Sequence, residues 1–342
     1  MRAALMEKGR IWVDTVEDPT PGPGELLVKS LACGICGSDL HAAKYTEEFV
    51  ATSLEAGGAF KLTTFDPVVL GHEFCAEVVD YGPDTPHDYA PGQLVCSVPA
   101  LARKPTLAVG YSDQTPGGFA EYMLLSNSLI APVGPGTPAQ HAALTEPMAV
   151  GYHAVNKARL AGTETALVIG AGPVGLAVIM SLKQRGIGPV VAAEPSQRRR
   201  ALAEQLGADV IVDPRATSPY ALDEIRRNDD AVIFECVGVP GMLDQIFLAA
   251  PRAARIVVVG VCLQMDHLRP LIAINKELNV QFVLGYTFEE FKQTLTLIDE
   301  GRLDVEPLIT HEVALDGVGQ AFDDLGHPDA HGKVLVAPWR QD

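Results

Sequence analysis

The hydrophobic pattern changes character along the chain. Over residues 1 to about 150, short apolar and β-branched runs alternate with Pro/Gly-rich turns, predicting strands near 26–31, 77–80, 93–98 and 121–125. Asp18-Pro-Thr-Pro-Gly-Pro-Gly24 reads as a rigid connection. From about 151 to 287 the period switches. Short apolar runs at 166–170, 189–193, 210–212, 231–235 and 256–260 predict buried strands, with helices over 174–185 and 196–206 between them. Such alternation predicts a doubly wound parallel sheet, an α/β fold behind a β-rich first part. From 288 a helix over 288–300 leads to a last strand at 333–336. No internal repeat interrupts this plan.

Composition narrows the function classes. A length of 342 residues predicts two domains at about 150 residues each. With 43 acidic against 26 basic residues the formal charge is −17, which argues against a nucleic-acid partner and against an anionic membrane surface. Six cysteines are too few for a disulfide scaffold in a chain of this length. Residues 1–8 contain no apolar signal core, and no apolar run approaches the roughly 18–20 residues that span a bilayer. The expectation is a cytoplasmic protein acting on a small molecule.

Two constellations carry chemistry. The first is Gly170-Ala-Gly172-Pro173-Val174-Gly175, placed after a predicted strand and before a predicted helix. In that context Gly170 allows the tight turn, Gly172 admits a pyrophosphate to the backbone, and Gly175 lets helix and strand pack closely. Glu194 ends the next apolar strand, 19 positions beyond Gly175. An acid there accepts hydrogen bonds from ribose hydroxyls and repels a 2′-phosphate, favouring NAD over NADP. The basic run Arg198-Arg199-Arg200 works the other way, since it could receive that phosphate.

The second constellation combines Cys33-Gly-Ile-Cys36-Gly-Ser38-Asp39-Leu-His41 with Gly71-His72-Glu73. CxxC alone reads as a zinc ribbon or a redox pair. A ribbon needs a second pair, whereas Cys75, Cys96, Cys236 and Cys262 stand isolated. A redox pair would sit in a thioredoxin-like βαβ unit, which this segment does not resemble. A mixed Cys/His/Glu set with an open position suits catalytic zinc.

The strings at 33–41, 71–74, 146–154 and 170–175, in that order, resemble the zinc-dependent medium-chain dehydrogenase/reductase superfamily. The likeness is closest to its secondary-alcohol, polyol and threonine dehydrogenase branch, and extends through 276–285 and 331–336. It implies a GroES-like catalytic domain of residues 1–150 completed by 288–342, a Rossmann domain of 151–287, an active site in the cleft between them, and a homodimer or homotetramer. Cys36, His72 and Glu146 match the family's catalytic zinc ligands, and Glu73 a carboxylate that coordinates in some members. Asp39 matches the residue orienting the zinc-bound imidazole; Ser38 and His41 match the proton relay. On the cofactor side Glu194 and Arg199 match ribose contacts, and Cys236, Val237, Val259, Gly260 and Val261 line the groove. Leu284 and Gly285 match positions near the nicotinamide, and Lys333 a pyrophosphate contact. The implied reaction is hydride transfer from a zinc-bound alkoxide to NAD, interconverting an alcohol and its ketone or aldehyde. The alternatives are a zinc-free NADPH-dependent enone or quinone reductase, and a non-catalytic dinucleotide-binding protein. Both predict a broken ligand set.

Three departures from the family pattern stand out. Residues 98–110 lack the four cysteines that hold a structural zinc in many members, predicting one zinc per chain. His72 follows Cys36 by 36 positions, longer than family habit, so residues 46–65 add a loop by the substrate cleft or a harmless surface excursion. Gly37 stands where other members carry a basic pyrophosphate contact.

Overall fold

The computed structural model describes residues 1–57, 62, 66–226, 231–327 and 331–341. The chain forms two compact units, residues 1–146 with 291–342, and residues 147–290.

The first unit is built on a seven-stranded sheet. Its strands run in the order Ile309–Val313, Lys333–Val336, Glu25–Gly34, Glu73–Tyr81, Leu94–Ser97 and Ile130–Pro132, with Tyr122–Ser126 also paired to Glu25–Gly34. Glu25–Gly34 is central because its alternation is clean: Leu26, Val28, Ser30 and Ala32 are buried while the residues between them are half-exposed. Two registers position the chemistry. Gly34 lies opposite Glu73 on one side and opposite Leu335 on the other, so the C-terminal strand completes the sheet beside the N-terminal one. An N-terminal hairpin, Arg2–Glu7 with Arg10–Thr15, was not anticipated by the hydrophobic pattern.

The stretch 46–65 is not simply a loop. Thr46–Glu55 is an α-helix that buries Phe49; residues 58–61 and 63–65 lie outside the described residues.

The second unit holds a six-stranded parallel sheet ordered Val210–Val212, Val190–Ala193, Ala166–Ile169, Val232–Glu235, Arg255–Val258 and Asn279–Phe282. The first five coincide with the predicted apolar runs to within two residues at each end. Inner strands such as Ala166–Ile169 and Val232–Glu235 are buried on both faces, which is why they read as continuous apolar segments. Asn279–Phe282 is an exposed edge with no such signature. The order reverses between Ala166–Ile169 and Val232–Glu235, and in open α/β sheets ligands bind at the carboxyl ends of the strands flanking such a switch point. Among the described residues, no helix is long and apolar enough to cross a membrane.

Candidate metal centre and nucleotide loop

The metal centre grows from the end of the central strand. Past Gly34 the chain reaches Cys36, which takes extended backbone angles and caps the helix Gly37–Lys44. Asp39, three residues into the turn and fully buried, accepts the Cys36 backbone N–H at 2.9 Å, fixing the cysteine at the helix start. The other Asp39 oxygen lies 3.3 Å from Nδ1 of His72. Cys36, His72 and Glu73 each aim one donor atom into a common point, all within 4.8 Å of one another. Close approach of the strands requires Gly34, because a Cβ there would come within 2.1 Å of a Glu73 carboxylate oxygen.

The electrostatics favour a cation. Burial pushes the His72 imidazolium toward its neutral form, yet Asp39 and the neighbouring Cys36 overrule this and raise its pKa well above the usual value. A thiol, an imidazole and a carboxylate in an anion-rich buried setting, with a carboxylate behind the imidazole, are the donors a zinc ion takes. The residues present therefore fit the ion. Cys33 does not share this role: it is fully buried, burial raises its pKa, and its thiol packs as a small apolar group.

Other expected residues fall into place unevenly. Glu146 is not among the converging donors, although its charge is felt by Lys333. Ser38 and His41 lie three apart on the same helix, hence on one face. His41 is half-buried with an unpartnered Nδ1, and burial, then Lys44, lowers its pKa. Lys333, expected as a pyrophosphate contact, is 2% exposed, with Nζ at 2.8 and 2.5 Å from the two Glu73 oxygens and 3.1 Å from the Ile35 carbonyl. The physical reason is register: residue 333 lies two positions from Leu335, the partner of Gly34, and so reaches Glu73 on the strand beyond. Burial opposes its charge, and Glu73 more than compensates.

Nothing in the sequence marks Tyr111, which the structure brings to the same centre. Its hydroxyl lies 2.8 Å from Ser38 Oγ and 3.2 Å from Asp39 Oδ1.

In the second unit the nucleotide loop has the expected geometry. Gly170 follows its strand with φ +89°, and Gly172 precedes the helix Pro173–Gln184, with Pro173 at its first position and Val174 next. At Gly175 a Cβ would lie 1.9 Å from the Gly170 carbonyl oxygen, so only glycine fits. Glu194 is buried, and its carboxylate oxygens accept the backbone N–H groups of Ala171 and Ser196, both at 2.8 Å. The Arg199 guanidinium reaches the loop beside Gly172. Arg200 turns away, donating to the carbonyls of Glu194 and Pro195. At the switch point Glu235 plays a matching part: fully enclosed, it accepts from the backbone of Val237 and Gly238 at 2.7 and 2.8 Å. Its only sequence signal is an acid closing an apolar strand, as at Glu194. Cys236 and Val237 follow that strand directly; Val259, Gly260 and Val261 follow the next, and Leu284 and Gly285 the edge strand. Val237, Val261 and Leu284 expose apolar side chains at these strand ends.

A metal-donor cluster beside one sheet and a glycine loop on a 3-2-1-4-5-6 sheet are the arrangement of a zinc-type, nucleotide-binding oxidoreductase. The comparisons agree. Residues 22–135 match the family described as the alcohol dehydrogenase GroES-like domain, and 173–300 the zinc-binding dehydrogenase family. The chain is 32% identical to (R,R)-butanediol dehydrogenase of Bacillus subtilis, over 99% of this chain and 100% of the relative. It is 31% identical to L-threonine 3-dehydrogenase of Pyrococcus furiosus, over 94% and 93%. The crystal structure of 2R,3R-butanediol dehydrogenase from B. subtilis superposes with a TM-score of 0.83 at 31% identity, covering 98% of this chain and 99% of that one. A zinc-binding dehydrogenase from Sinorhizobium meliloti bound to NADP gives 0.82 at 28%, over 98% and 99%. The chain belongs to the zinc-type medium-chain dehydrogenase/reductase family, and is an alcohol dehydrogenase-type oxidoreductase that uses a nicotinamide cofactor.

Proposed function

We propose that the chain oxidises a secondary alcohol or polyol, reversibly, with one zinc ion held by Cys36, His72 and a carboxylate, and with NAD as acceptor. The observation that carries this reading is the convergence of Cys36, His72 and Glu73 with Asp39 behind the imidazole. Zinc bound there supplies a Lewis acid that lowers the pKa of the substrate hydroxyl. Cys36 and His72 would hold that ion, with Asp39 fixing the Cys36 backbone and facing the His72 imidazole. Ser38 Oγ takes the hydroxyl proton as its own passes toward the half-buried His41, which releases a proton to solvent.

Glu194 supports NAD. Its carboxylate, accepting the backbone N–H groups of Ala171 and Ser196, lies beside the glycine loop, where a 2′-phosphate would be repelled. Arg199 offers the opposing attraction. The test is a panel of vicinal diols, polyols, secondary alcohols and hydroxy amino acids, each assayed with NAD and NADP. A secondary alcohol or polyol is expected to turn over with NAD preferred, and Glu194→Gln to narrow that preference about tenfold, the scale of one charged contact. NADP preference in the unaltered protein would overturn the cofactor assignment. Turnover confined to primary alcohols would overturn the substrate class.

The exposed edge strand Asn279–Phe282, with Phe282, Leu271 and Ile274 apolar and exposed beside it, supports a homodimer formed through that edge. Light scattering is expected to give at least twice the 36.4 kDa chain mass; a monomer at micromolar concentration would refute it. Six free cysteines, one a metal donor, suit a reducing cytoplasmic setting.

A further inference from the structure

Tyr111 is 4% exposed and lies against the centre. Its hydroxyl bridges Ser38 and Asp39, and its ring lies 5.0 Å from the His72 ring. On the other side the ring stacks on Phe49 at 5.7 Å and 21°. Phe49 belongs to Thr46–Glu55, the helix that lengthens the Cys36–His72 spacing. The lengthened segment thus backs the tyrosine that meets Ser38.

We propose that Tyr111 is a positioning residue that sets the hydrogen-bond polarity of Ser38. Ionised, the Asp39 carboxylate only accepts, and one of its oxygens already takes the Cys36 N–H. Tyr111 has one proton, and Ser38 Oγ and Asp39 Oδ1 both lie where they can accept it. With that proton directed to Asp39, Ser38 donates to the tyrosine oxygen and turns its lone pairs outward, ready to accept from an alcohol. With the proton directed to Ser38, the serine hydrogen is released to donate toward a carbonyl oxygen. Passing a proton on needs the second polarity: as Ser38 takes the alcohol proton its own leaves toward His41, and the reverse reaction runs the same exchange backward, with Tyr111 holding Ser38 in place throughout. In isolation, a serine hydroxyl would spread over three rotamers and hold the productive one only part of the time.

This assignment rests on the alcohol dehydrogenase reading, and its test separates the two. Tyr111→Phe keeps the ring, the Phe49 stack and the fold. The expected result is a tenfold to hundredfold fall in kcat in both directions. KM is expected within about threefold and zinc content unchanged, with a displaced alkaline limb in the pH profile of kcat. In a Ser38→Ala background the same substitution is expected to add less than about twofold, because a residue acting through Ser38 has nothing left to position. Crystal structures of the metal-free protein provide the readout independent of activity: Ser38 Oγ turns to a second rotamer in Tyr111→Phe, while Cys36 and Asp39 stay in place. An unmoved Ser38, or additive losses in the double variant, overturns the proposal. A protein inactive on every alcohol, in which Ser38 still turns, strikes the dehydrogenase reading and leaves the positioning role standing.

Discussion

Dialysis against a zinc chelator is expected to abolish alcohol oxidation, and one equivalent of zinc per chain to restore it. The donors leave little alternative route to the activation energy. An alcohol hydroxyl ionises far above neutral pH, and neither Ser38 nor His41 is a strong enough base to remove its proton unaided. A Lewis acid contributes several kcal/mol at this step, so the expected loss is about a thousandfold or more. Cys36→Ala is expected to reproduce that loss, because it removes the thiolate at the helix start and leaves the imidazole and carboxylate to hold the ion alone. Elemental analysis is expected to give one zinc per chain; two would mean that a second site exists beyond Cys36, His72 and Glu73. Activity that survives complete metal removal would replace the zinc mechanism with that of a zinc-free reductase.

The second large effect concerns Lys333. Its ammonium and the Glu73 carboxylate are both enclosed, with side-chain exposures of 2% and 0%. Removing one member of a buried ion pair leaves an uncompensated charge and costs about 3–5 kcal/mol. Lys333→Met is therefore expected to lower the stability of the metal-free protein by that amount in urea unfolding. Zinc changes the outcome. Glu73 already points one oxygen into the donor group, and once released from Lys333 it is free to pair with the ion instead. The variant is expected to bind zinc more tightly and to recover much of its stability on loading. It is also expected to lose about tenfold in kcat, because an added carboxylate ligand without the nearby ammonium weakens the Lewis acid. Lys333→Arg keeps the charge and serves as the control. Equal destabilisation with and without zinc, at unchanged zinc affinity, would show that Lys333 is structural support only.

A zinc ion held by Cys36 and His72 would compete with the Lys333 ammonium for the Glu73 carboxylate. With the Cys36 thiolate and the Glu73 and Glu146 carboxylates as ligands, a zinc site would carry one negative charge in excess of Zn²⁺, which Lys333 would cancel. Exchange of Glu73 between ion and ammonium would then need no change in the total charge of the buried cluster.

Local features were legible in the sequence, and for stated reasons. The turn at Gly170–Gly175 depends on backbone angles and close approach, which glycine spacing encodes directly. The inner strands of the parallel sheet are buried on both faces, so hydrophobicity alone marks them. Cys36, Ser38, Asp39 and His41 lie within one helical turn or two, where spacing fixes the relative placement. The edge strand Asn279–Phe282 escaped because exposure on both faces removes any pattern. Tyr111 escaped because its role comes from a hydroxyl bridging residues more than seventy positions away, with nothing nearby to distinguish it from a core aromatic.

By itself, then, the sequence determined the parallel sheet behind a β-rich first part and the glycine loop, which follow from hydrophobic pattern and short-range spacing. It offered Cys36, His72, Glu73 and Glu146 as metal donors, with the choice of Cys36 and Glu146 resting on the family resemblance. The tertiary structure alone decided that Lys333 answers Glu73 across 260 positions and that Tyr111 holds Ser38. The physical reason is strand register: pairing Gly34 with Glu73 on one side and Leu335 on the other sets which distant side chains share a buried volume, and no local pattern carries that pairing.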